Sequence, residues 1–168
     1  MNYKEALERM TEAVSKCGEG FDTLGVTAKL EYDYMDRIMK SVDSPERAKY
    51  LTVTLVLKTE STPENEEYCL SLGAEVKNGR VNEDILERDI KNFEDLVGDT
   101  KAKISEYDSS EIAIRELANA ASEEFKLLVQ KIKDDEKKQK LTSIIGIGCV
   151  IAIFIIVTLF SIFTGSAG

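Results

Sequence analysis

The chain has 168 residues, with 31 acidic and 22 basic side chains, a net charge of −9, and neither histidine nor tryptophan. That balance argues against a nucleic-acid partner, which needs a basic footprint. The missing histidine removes Ser-His-Asp and Cys-His catalysis and every metal site that requires His.

Tyr3, Ala6, Leu7, Met10, Ala13, Val14 and Cys17 recur at three- and four-residue steps, one face of a helix over about 2–17 that Gly18 and Gly20 end. A second stripe, Phe21, Leu24, Ala28, Tyr32, Met35, Met39 and Val42, predicts a helix over 21–42, with Gly25 weakening its first turn. Ser44-Pro45 reads as an N-cap with proline at the first helical position. The run 48–57 that follows is ambiguous. Ala48, Leu51 and Leu55 fit a helix, whereas Leu51, Val53, Leu55 and Leu57 alternate as a strand would. The start signal and the lack of a clear partner strand favour helix.

Thr62-Pro63 repeats the cap-and-proline signal, and Tyr68, Cys69, Leu72 and Val76 give a further buried face. Asn78-Gly79 closes that helix, the alternative being a hairpin turn there. Asn82 looks like the cap of the next helix. From it a heptad seam runs through Leu86, Ile90, Phe93, Val97 and Ile104, with Thr100 and Tyr107 in the same register. The seam resumes at Ile114, Ala118, Ala121, Phe125, Leu128 and Ile132, after a break expected near 108–111.

Residues 141–163 carry no charge, and a helix of that length covers roughly 34 Å, enough to cross a bilayer core. Lys137, Lys138 and Lys140 abut this run, and the positive-inside bias keeps residues 1–140 in the cytoplasm. Gly146, Gly148 and Ala152 offer the small-residue spacing that permits helix contact in lipid. The acidity is concentrated in residues 60–116, and Cys17, Cys69 and Cys149 lie far apart, implying no disulfide framework.

No phosphate-binding glycine loop is present, and the acidic clusters lack the spacing of a calcium loop. The sequence therefore predicts an all-α protein in four parts. These are an N-terminal helical region over 1–81, a heptad-patterned segment over 82–140, a single transmembrane helix over 141–163 and a short translocated tail over 164–168. The expected localisation is single-pass membrane with a cytoplasmic N-terminal region. The expected function is that of a tail-anchored, non-enzymatic interaction or scaffolding protein with no cofactor and no bound metal. Its expected partners are the membrane and either another protein or a second copy engaged through helices; no nucleic acid and no small-molecule substrate is expected. Helices, heptad segment and terminal span together resemble the plan of syntaxin-like SNAREs over Leu86 to Ile132. Those proteins place Gln or Arg in a central layer where this chain has Thr100, Ile104 and Tyr107. That resemblance implies the alternative function, fusion or tethering through the heptad segment.

Overall fold

The computed structural model describes residues 1–36, 40–63 and 66–124, and beyond them 126–127, 130–131 and 133–134. The chain divides into two units, Met1–Ala121 and Ser122–Gly168. In the second, the described residues are helical. The first is a mixed α/β domain, not the all-α bundle the periodicity predicts. Its order is helix α1 (Tyr3–Gly18), strands β1 (Thr27–Met35), β2 (Tyr50–Lys58) and β3 (Tyr68–Glu75), then helix α2 (Glu83–Glu106). A third helix, α3, begins at 110.

Local signals account for the helices. The Asn2 side chain accepts from the Glu5 amide at 2.9 Å, capping α1, and Ala6, Met10 and Val14 bury one side of it. Asn82 caps α2 in the same way, accepting from the Ile85 amide at 3.2 Å. Tyr107 ends α2, and the Ser109 hydroxyl takes the Ile112 amide at 3.3 Å to start α3. The break expected near 108–111 is therefore present.

The strands overturn three predicted helices. Gly25 sits at φ 70 and stops a short 3-10 turn, and the chain leaves it extended. From Ala28 the sequence alternates, so Ala28, Leu30, Tyr32 and Tyr34 share a face that a 3.6-residue reading had split. The 48–57 run is β2, and residues 68–75 are β3. Asn78 and Gly79 both have positive φ, 54° and 73°, the signature of a type I′ turn. Lys77 and Arg80 exchange backbone bonds across it at 2.9 and 3.0 Å, so this is a hairpin turn and not a helix stop.

The sheet is an antiparallel meander, β1-β2-β3. Leu51, Val53, Leu55 and Leu57 of central β2 face one side and are fully buried, with Leu70 and Leu72 of β3 beside them. Helices α1 and α2 cover that face, adding Met10, Val14, Leu86, Phe93, Val97 and Ile104 to one continuous core. Lys29, Glu31, Asp33, Ser71 and Gly73 are exposed on the other face. Arg9 of α1 bridges to Glu83 at 3.0 Å and Glu87 at 2.6 Å on α2, tying the two helices at the surface.

The single-pass, tail-anchored expectation is corrected as well. Among the described residues no helix is long and apolar enough to cross a membrane. Residues 141–163, on which that expectation rested, lie outside the described residues.

Candidate functional site

The predicted seam turns inward. Leu86, Phe93, Val97, Ile104 and Ile114 are all buried in the domain's own core, and Ile90 packs against it. Ala118 is half-buried and Ala121 exposed. Phe125, Leu128 and Ile132 lie outside the described residues, as do Gly146, Gly148 and Ala152. The structure thus gathers the first half of the seam against α1 and the sheet.

A cleft of about 960 Å³ opens where the end of α1 meets the start of α3. Its wall carries Glu19, Asp22, Glu60 and Glu111 beside Thr59, Ser61 and Ser110. Among the described residues, four carboxylates and no lysine or arginine line it, which makes it hostile to phosphate and other anions. Lys101 lies beside it but is occupied, donating to the Glu19 carbonyl at 2.6 Å with its ammonium 4.8 Å from the Phe21 ring centre. Among the described residues no group of three His, Cys, Asp or Glu side chains is placed to hold a metal ion. The described residues of this cleft offer hydroxyls and carboxylates.

The two sheet edges differ in kind. On β1, the exposed Lys29, Glu31 and Asp33 alternate along the strand, the usual means of discouraging edge-to-edge pairing. Its far end is also occupied, since the Tyr34 carbonyl accepts from the Val42 amide at 2.7 Å. β3 reads YCLSLGAE, with no charge before its last residue and no proline. The Val76 amide donates to the Lys49 carbonyl at 2.7 Å, which fixes the alternation along β3. Even-numbered residues bond β2, so the backbones of Cys69, Ser71, Gly73 and Glu75 face the open edge.

Beside this edge runs a shallow groove, two hollows of about 440 and 290 Å³ that share Gly73 and Asp89. Its other wall is α2, where Ile85, Asp89, Asn92 and Leu96 form a row at steps of four, three and four. Ile85 is 48% and Leu96 45% exposed, although both are large and apolar. An open strand edge with an apolar helix row beside it can take a further strand, the backbone giving affinity and alternate side chains meeting the helix. The seam-centred reading of α2 passes over this row, and its only sequence signal is a pair of apolar residues, Ile85 and Leu96, off the heptad register.

Two thiols lie elsewhere on the domain. Burial pushes the Cys17 thiol pKa up, and Glu94 adds to the effect. Burial also raises that of Cys69, on the outer sheet face, with Glu67 and Glu31 adding to it. Neither is activated as a nucleophile at neutral pH.

Comparison with protein-family models, with curated proteins and with solved structures returns no match.

Proposed function

We propose that the domain is a non-enzymatic protein-interaction module whose working surface is the open edge of β3 together with the α2 row. The observation that carries this reading is the contrast between the edges: β1 is charged and partly occupied, whereas β3 is uncharged along its interior and flanked by exposed Ile85 and Leu96. Natural sheets blunt the edges they do not use. Burial of Leu86, Phe93, Val97 and Ile104 favours this module over the alternative of a fusion or tethering segment that zips through the same residues, because their apolar surface is already covered.

A photo-reactive benzoylphenylalanine tests it. Leu96 beside the open edge and Tyr32 on the shielded one are equally exposed, at 45% and 46%. The probe at Leu96 should give crosslinked protein adducts that the probe at Tyr32 does not. Equal yields from both positions would remove the basis for the proposal.

A further inference from the structure

The geometry points to a second copy of this chain as the occupant of the β3 edge, with β3 pairing antiparallel to β3 and α2 packing antiparallel to α2 about one two-fold axis. This inference rests on the reading of that edge as the interaction surface. Its first support is the pattern of the helix row. Ile85, Asp89, Asn92 and Leu96 read with the same spacing in both directions. Two antiparallel copies therefore set Ile85 against Leu96 at each end, and Asp89 against Asn92 at the centre. The apolar residues cover one another, and the Asn92 amide can donate to the Asp89 carboxylate of the other copy. An axis through Asp89 itself would oppose two carboxylates; an axis midway between Asp89 and Asn92 does not.

The second support is the position of that midpoint. Asp89 and Asn92 line the hollow whose other wall is Ser71, Leu72 and Gly73, the middle of β3. One axis thus serves strand and helix together. Centred on Leu72, it pairs Ser71 with Gly73 and Cys69 with Glu75, all residues whose backbones face the open edge. No like charges meet along this strand pair. Arg88 donates to Oδ1 of Asp89 on its own helix at 3.0 and 3.1 Å, which leaves Oδ2 of that carboxylate to accept from Asn92 of the other copy. A C2 interface requires such self-complementarity, which an unrelated partner would not impose on the sequence.

Cysteine crosslinking of the full-length chain tests this arrangement, with Cys17, Cys69 and Cys149 replaced by alanine. Facing Cα atoms across packed helices fall within disulfide reach. Ile85→Cys with Leu96→Cys should form a covalent dimer on mild oxidation. Either substitution alone should not, because identical positions on the two copies then lie roughly 16 Å apart along the helices. Crosslinking by the single variants as readily as by the pair would overturn the antiparallel register.

Sedimentation of the unmodified chain should show a dimer across the micromolar range, and Ile85→Asp with Leu96→Asp should give a monomer of unchanged circular dichroism. A monomeric wild type overturns the second-copy inference. Amide exchange at Ser71 and Gly73 in the Asp variant separates this failure from that of the edge reading. Fast exchange there leaves the edge free for another partner. Slow exchange in a monomer means the chain covers its own edge, and both readings fall.

Discussion

Replacing Phe93 by alanine asks whether the seam of α2 is used within the chain. Phe93 is 3% exposed and belongs to the continuous core that α2 shares with the sheet. Removing a buried phenylalanine forfeits about 1.5–3 kcal/mol of transfer free energy. The unfilled space raises the cost to about 3–5 kcal/mol. A domain of this kind has about 5–15 kcal/mol in all. At roughly 3–5 °C for each kcal/mol in a domain of this size, the melting midpoint should fall by about 10–20 °C. Leu96→Ala, one turn away on the exposed row, should stay within about 0.5 kcal/mol when measured at dilute protein. Thermal melts of the full chain followed by far-ultraviolet circular dichroism compare the two directly. A Phe93→Ala midpoint within about 3 °C of wild type would mean that α2 does not bury its seam on this sheet, and the inter-chain zipper would regain its footing.

Proline placed in the sheet should separate its centre from its edge. Thr54→Pro in β2 removes a bond of the central ladder and should abolish the folded circular dichroism spectrum, whereas Ser71→Pro, whose N–H faces the open edge, should leave a folded protein; equal damage would contradict the assigned pairing. Gly25→Ala forces a side chain to φ 70 and brings its Cβ to 3.2 Å from the Ser110 Oγ, while Gly20→Ala, at φ 84, meets nothing within 4 Å. Both should lose about 1–2 kcal/mol from the backbone in denaturant titrations, and Gly25→Ala should lose more, part of it recovered by Ser110→Gly; a larger loss at Gly20 would refute this. With Cys149 replaced, thiolate ultraviolet absorbance should titrate with its midpoint above the ordinary thiol value of 9.0. The folded chain holds those protons more tightly than the unfolded one, so this contribution to stability is intact below that pH and lost as pH rises through the folded pKa. A titration midpoint at or below 9.0 for either thiol would contradict its raised pKa.

The helices were legible because their causes are local. Asn2 and Asn82 accept from amides three residues on, and the apolar faces of α1 and α2 repeat within one or two turns. Seam positions Leu86, Phe93, Val97 and Ile104 could be read as one buried stripe for the same reason, and the Asp108–Ser110 break announced itself through residues that favour helix starts. Strands have no such local cause. Thr27–Met35 carries both a 3.6-residue stripe and an alternating one. Its pairing with Tyr50–Lys58 decides between them, and that choice depends on residues fifteen or more positions away. Tyr68–Glu75 was masked by the cap-and-proline signal at Thr62-Pro63, and Asn78-Gly79 fits either a helix stop or a hairpin until the partner of Lys77 is known. The candidate surface lay further from view. Ile85 and Leu96 look like strays from a heptad until the fold sets them beside the uncovered backbone of Ser71 and Gly73. An open edge is a property of a completed sheet, because only the sheet determines which backbone groups are left without a partner.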